Sequence, residues 1–178
     1  MEEQIILEEE AIAEEQALQL ARLGSEITAR PIGGLPSLRT PVCVSPMLSV
    51  REAVDRMNHQ RVGCVLVEQN GLLIGVFTER DVLSKVVPAK ADIDKTRVAD
   101  VMTADPECLT LEDGVAYALN KMSVGGFRHV PLIDEEGHPV GVVAMRDVVD
   151  FIVDLFPGEV LNLPPAPNLG IAREREGA

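Results

Sequence analysis

Residues 75–83 read GVFTERDVL, and sixty-six positions later residues 141–149 read GVVAMRDVV. The same spacing pairs Gly71 with Gly137, Gly75 with Gly141, Val76 with Val142, Arg80 with Arg146, Asp81 with Asp147 and Val82 with Val148. It holds from Gly63 to Val87 without insertion. An internal duplication of this kind restricts the fold strongly. Each copy is one supersecondary unit, and the two units stack to bury what neither can bury alone.

Each copy gives the same order of elements. PVCV (41–44) reads as a short strand. SVREAVDRMNHQRV (49–62) sets Val50, Ala53, Val54 and Met57 at helical spacing behind Ser49 as N-cap. CVLVE (64–68) is a buried strand, Asn70-Gly71 a hairpin turn and LLIGVFT (72–78) the partner strand. ERDVLSKVV (79–87) is a second helix, stopped by Pro88. In the second copy ECLT (107–110), HVPLID (129–134) and PVGVVA (139–144) are the strands. Residues 111–124 and 145–156 are its helices. The fold class is α+β: two β-α-β-β-α repeats. A single repeat exposes a sheet face too apolar for water, and two packed about a pseudo-twofold axis bury it. The expected divisions are 1–40 (acidic helix and linker), 41–98 (first repeat), 99–156 (second repeat) and 157–178 (proline-rich tail).

The flanks differ in character. Residues 7–23 hold strong helix formers with Gly24 as C-cap, and a loose stripe of Leu7, Ala11, Leu18 and Ala21. Such a helix packs on its own domain or on a dimer partner, the alternative being a dedicated partner-binding helix. Pro31, Gly33, Gly34, Pro36 and Pro41 mark 31–41 as a linker. Pro157, Pro164, Pro165 and Pro167 make the tail extended, disordered or strapped along a surface.

The formal net charge of −13 opposes binding to nucleic acid or to anionic membrane. Seven Glu and no Lys or Arg in the first fifteen residues match neither a secretory signal nor a transit peptide. No apolar run reaches the roughly 18 residues of a membrane span. Cys43, Cys64 and Cys108 sit in apolar, strand-like surroundings, which points to buried free thiols in a reducing, cytoplasmic setting. No CxxC or Cys/His cluster points to a metal.

Thr78 and Asp81 admit two readings. At a strand-to-helix junction, Thr-x-x-Asp forms a capping box, hydroxyl to amide and carboxylate back to the cap. Alternatively, the carboxylate of Asp81, with about four acceptor sites, suits the two hydroxyls of a ribose. The readings are compatible, since the helix holds the Asp in place.

The duplicated Gly-h-h-Thr-x-x-Asp phrase, the β-α-β-β-α order and the tandem arrangement over about 41–156 resemble the cystathionine-β-synthase (CBS) domain family. The pair resembles that family's Bateman module. The resemblance implies two clefts, one on each side of the pseudo-twofold axis, that bind adenosine-containing ligands: AMP, ADP or ATP, with or without Mg, or S-adenosylmethionine or NAD(H). It also implies a homodimer and a regulated partner protein, in an energy-sensing role. Carried over, the first cleft comprises Thr78, Arg80 and Asp81 with Cys108, Leu109 and Thr110 beside the base and Arg128, His129 and Val130 near phosphate. A guanidinium binds phosphate through paired hydrogen bonds. The second cleft comprises Ala144, Arg146 and Asp147 with Val42, Val44, Val62 and Gly63. Having lost the threonine hydroxyl and the Arg/His pair, it is expected to be the weaker, with Arg61 compensating in part.

An enzyme is disfavoured, because no nucleophile–base pair, metal cluster or phosphate-binding loop of the Walker type appears. A ligand-free structural or dimerisation adaptor is the other alternative.

Overall fold

A computed structural model describes residues 24–25 and 29–155. The helix expected over 7–23 and the tail expected over 157–178 lie outside the described residues. In the first copy, β1 (Cys43–Val44) leads to α1 (Val50–Gln60), β2 (Cys64–Gln69) and β3 (Leu72–Thr78). The helix α2 begins at Glu79–Asp81 and continues as a π-helical turn, Val82–Val86. A connecting helix α3 (Val98–Val101) and strand β4 (Thr103–Ala104) precede α4 (Val115–Gly125), β5 (His129–Ile133), β6 (Pro139–Ala144) and α5 (Met145–Leu155).

Local chemistry explains the boundaries. Ser49 caps α1 in a reciprocal box with Glu52. Asn70 and Gly71 both take positive φ, 55° and 84°, the turn that a two-residue hairpin requires. The wide turn in α2 shows as Val87 N–H donating to Val82 C=O. Two expected elements differ. The strand over 107–110 reduces to one parallel bridge, Leu109 to Leu132. The helix expected from 111 starts at Val115, because Asp113 accepts hydrogen bonds from the Thr110 N–H and hydroxyl and holds that stretch as a turn.

Each copy completes the sheet of the other. β1, β2, β3 and β4 form one sheet in that order, with β1–β2 parallel and the remaining pairs antiparallel. β4, from the start of the second copy, thus pairs with β3 of the first. In the other direction Arg39 bridges Val142 beside the β5–β6 pair. The segment expected to be a linker is therefore structural. Ile32 and Leu35 are buried in the second copy's core, and Arg30 C=O accepts from Val115 N–H. The Arg30 guanidinium lies over the Phe151 ring.

The pseudo-twofold axis is visible in reciprocal contacts. A Cβ at Gly71 would lie 3.3 Å from His138, and one at Gly137 would lie 3.5 Å from Leu72. These are the same contact with the copies exchanged. Between the two main cores lies a third cluster of Cys64, Leu66 and Val76 packed with Val142. Val76 and Val142 are duplicated partners, so this cluster joins the copies. Burial of each such aliphatic side chain contributes about 1.5–3 kcal/mol. Among the described residues no helix is long and apolar enough to cross a membrane.

Candidate functional site

The duplication places two cavities on opposite sides of the axis. The first, about 370 Å³, is lined by the end of β3, the first turn of α2, residues 103–107 and the start of β5. Thr78, Arg80, Asp81, Arg128 and His129 all reach it. Val76, Pro106, Phe127 and Pro131 give it apolar walls. The second, about 180 Å³, is lined by Val42, Val62, Gly63, Ala144, Arg146 and Asp147, joined by Arg39 and Arg61.

Several expected residues lie elsewhere. Val130 and Leu109 are buried in the second copy's core, and Val44 in the first copy's. The Thr110 hydroxyl is held by Asp113, and the Cys108 thiol donates to Pro106 C=O at 3.1 Å. That part of the cavity wall is formed one step earlier, by Asp105, Pro106 and Glu107. The physical reason is a turn at Asp105, which takes φ 46° and donates its N–H to Ile74 C=O.

The Thr78–Asp81 capping box is present. Asp81 Oδ2 accepts from Thr78 N–H at 2.9 Å and from the Thr78 hydroxyl at 2.7 Å. Oδ1 is paired with Lys85 Nζ at 2.7 Å and receives a long contact from the Thr103 hydroxyl at 3.4 Å. Lys85 also donates to Val101 C=O and Met102 C=O. Sequence reading missed Lys85, although a Lys four residues after an Asp on a helix is a legible ion-pair signal. Arg80 donates to Gly126 C=O, so its guanidinium ties α2 to the end of α4.

Asp147 is less engaged. Its Oδ2 accepts only from Ala144 N–H, at 2.7 Å, and Oδ1 has no partner among the described residues. The duplicated positions of Thr78 and Lys85 hold Ala144 and Phe151. The loss of the hydroxyl thus leaves acceptor sites open on Asp147 rather than only removing a contact.

The CBS domain family profile matches residues 32–88 and again 98–154. The chain belongs to the CBS domain family. A CBS domain-containing protein of Arabidopsis thaliana, CBSCBSPB3, is 32% identical over 112 residues, which cover 63% of this chain and 20% of that protein. An uncharacterized 17.7 kDa protein of Acidianus ambivalens is 32% identical over 113 residues, covering 63% of this chain and 67% of that protein. The chain spans 15–27% of the length of three curated relatives, two from Arabidopsis and one from Schizosaccharomyces pombe. Among solved structures, the CBS-domain containing protein ATU1752 from Agrobacterium tumefaciens superposes with a TM-score of 0.62 at 29% identity. The match covers 68% of this chain and 98% of that one. The CBS domain protein PAE2072 from Pyrobaculum aerophilum, solved as a complex with AMP, gives 0.61 at 26% identity, covering 66% and 89%.

Within this CBS pair, one side chain belongs to both cavities. Gly63 and His129 are duplicated partners, and both line both sites. A Cβ at Gly63 would lie 2.9 Å from His129 Nε2. The glycine of one copy therefore makes room for the imidazole of the other on the axis. Burial lowers the His129 pKa below its ordinary value of 6.5; Glu79 and Asp147 oppose that shift and Arg128 adds to it.

Away from the cavities, Asp134, Glu136 and His138 gather on the exposed β5–β6 turn. There Asp134 accepts hydrogen bonds from the N–H groups of Glu136 and His138 and pairs with the imidazole, which accounts for the cluster as turn structure.

Proposed function

We propose that this chain is a non-catalytic regulatory module that binds an adenosine-containing ligand in the first cavity and passes its occupancy to a partner protein. The observation that carries the reading is one apolar-walled cavity lined by both Asp81 and Arg128, the Arg128 side chain having no hydrogen-bond or ion-pair partner among the described residues. The volume of about 370 Å³ falls in the range of small-molecule sites. Asp81 takes the ribose hydroxyls, with the Thr103 contact yielding first because it is the longest. Val76, Pro106 and Pro131 enclose the base, and Arg128 meets a phosphate. The AMP complex of the related Pyrobaculum aerophilum protein supports this choice of ligand.

Glu79 and Asp105 also line the cavity, so a ligand with one phosphate suits it better than ADP or ATP. The same two carboxylates favour S-adenosylmethionine, whose sulfonium and ammonium are cationic, as the second reading. A homodimer belongs to the proposal. Leu83 and Val149, duplicated partners on α2 and α5, are 69% and 47% exposed, which gives each copy a matching apolar patch. The three free cysteines support a reducing, cytoplasmic setting as part of the proposal.

Thermal-shift measurement with adenosine, AMP, S-adenosylmethionine and NADH tests the reading. A ligand that binds only the folded state at a hundredfold excess over Kd stabilises by about 2.7 kcal/mol. A melting temperature unmoved by every ligand at millimolar concentration overturns it and leaves the adaptor alternative.

A further inference from the structure

The capping box uses only half of the Asp81 carboxylate. Oδ2 takes the Thr78 N–H and hydroxyl, both from the same motif. Oδ1 takes donors from farther along the chain, the Lys85 ammonium at 2.7 Å and the Thr103 hydroxyl at 3.4 Å. A carboxylate has about four acceptor sites, so the protein's own donors engage them all. Asp81 and Thr103 both line the first cavity.

Lys85 does more than neutralise Asp81. Its ammonium also donates to Val101 C=O at 2.9 Å and to Met102 C=O at 3.1 Å. Val101 ends α3 and Met102 is its C-cap, so Lys85 satisfies carbonyls that the helix itself leaves open. The segment it holds is otherwise thinly attached. Val98 is buried at one end, and Asp105 N–H donates to Ile74 C=O at the other. Between them β4 pairs with β3 through Thr103 and Ala104, both exposed. Segments of this kind lie at the low end of local stability.

The arrangement occurs in one copy. Sixty-six positions from Lys85 and Thr103 stand Phe151 and Ser37, and the buried Ser37 hydroxyl has no hydrogen-bond partner among the described residues. The π-helical turn of α2 contains Lys85, whereas its counterpart α5 is a regular helix. Such turns are frequent where a helix serves function.

We propose that Lys85 is a latch on the connector 98–105, opened when a ligand diol takes Asp81 Oδ1. The inference rests on the adenosyl reading of the first cavity and adds the route by which occupancy leaves it. Two hydroxyls need two acceptor sites. The long Thr103 contact frees one, and the Lys85 ammonium has to yield the other. The Lys85 side chain is 40% exposed, so the displaced ammonium is rehydrated rather than stranded. The connector then loses its tie to α2, and occupancy of the cavity is expressed as a loosened α3–β4 segment between the two copies.

Hydrogen exchange read by mass spectrometry on the full chain, with calorimetry establishing saturation by adenosine, tests this. In the wild type, adenosine is expected to speed exchange over 98–105 about tenfold, the effect of losing one charge-assisted contact, while α4 exchanges no faster. Lys85→Met is expected to show the fast rate without ligand and to gain no further speed with it. A merely structural lysine would leave the wild type unresponsive to adenosine. Bound adenosine with exchange over 98–105 unchanged or slowed overturns the latch and leaves the adenosyl reading standing. An adenosine response that persists in Lys85→Met overturns it as well, since the signal then bypasses the ammonium. If calorimetry shows no adenosine binding, the adenosyl reading fails and the latch, which needs the diol, falls with it.

Discussion

The Lys85 ammonium lies 2.7 Å from Asp81 Oδ1, and its other donors reach the carbonyls of Val101 and Met102. The carboxylate of the first cavity is thus tied, through one side chain, to the segment joining the two copies. In the second copy the same position is Phe151, and Asp147 has no such tether.

Lys85→Met is therefore expected to destabilise the fold by about 1 kcal/mol, the pair being part-exposed on its Lys side. It also frees an acceptor site on Oδ1, so adenosine affinity is expected to rise. Denaturant unfolding and calorimetry on the one variant check both effects. Weaker adenosine binding would show that Lys85 acts by positioning Asp81 for the ligand.

Gly63 tests the axis. Gly63→Ala puts a methyl 2.9 Å from His129 Nε2, so the ring must move. Overpacking of this kind costs about 1–3 kcal/mol. In the His129→Ala background most of that cost is expected to vanish, and a double-mutant cycle measures the coupling. Additive effects would place the strain elsewhere.

His129 gives a pH dependence with a definite sign. Burial lowers its folded-state pKa below the ordinary 6.5, so the unfolded chain binds the proton more readily. The resulting stability is complete above pH 6.5 and is lost as pH falls from there through the lowered folded-state value. Melting temperature against pH is expected to fall more steeply on the acid side for the wild type than for His129→Gln. Parallel profiles would mean that the imidazole is solvated in the folded protein.

The cysteines bear on handling and on the redox reading. Burial pushes the Cys64 thiol up to about 12, and burial with Glu68 pushes Cys43 up to about 11. Only Cys64 is buried outright; Cys43 and Cys108 are half-buried, less enclosed than their strand-like surroundings suggest. The thiolate is the reactive form, so all three are expected to react slowly with a disulfide reagent at neutral pH and at full rate on unfolding. Rapid modification of the native protein would contradict this.

How much was legible follows from what each signal encodes. The duplication and the short apolar strand runs set the architecture, and Asn70-Gly71 and Ser49 marked their turn and cap, because those are local properties of the chain. The exchange of edge segments was not legible. Whether residues 30–39 run free or pack on the other copy depends on where Val142 presents its backbone, which is a tertiary fact. The site divides in the same way. Thr78, Asp81 and Arg128 reach one cavity as the family resemblance implies, but Cys108, Leu109 and Thr110 do not line it, because the chain turns one step earlier at Asp105. Arg39 lay in the apparent linker, and Lys85 one helical turn beyond the motif. Neither carries a motif of its own.

The central claim is that the first cavity holds an adenosyl ligand by its ribose on Asp81. Calorimetry of AMP binding to wild type, Asp81→Asn and Asp147→Asn, with circular dichroism confirming that each is folded, tests it most directly. The amide keeps the size and one acceptor but cannot receive two hydroxyls and the Lys85 charge together. The account predicts that Asp81→Asn weakens AMP about tenfold or more, while Asp147→Asn leaves the first-site affinity within about twofold. Unchanged AMP binding in folded Asp81→Asn, or an equal loss in Asp147→Asn, would contradict it.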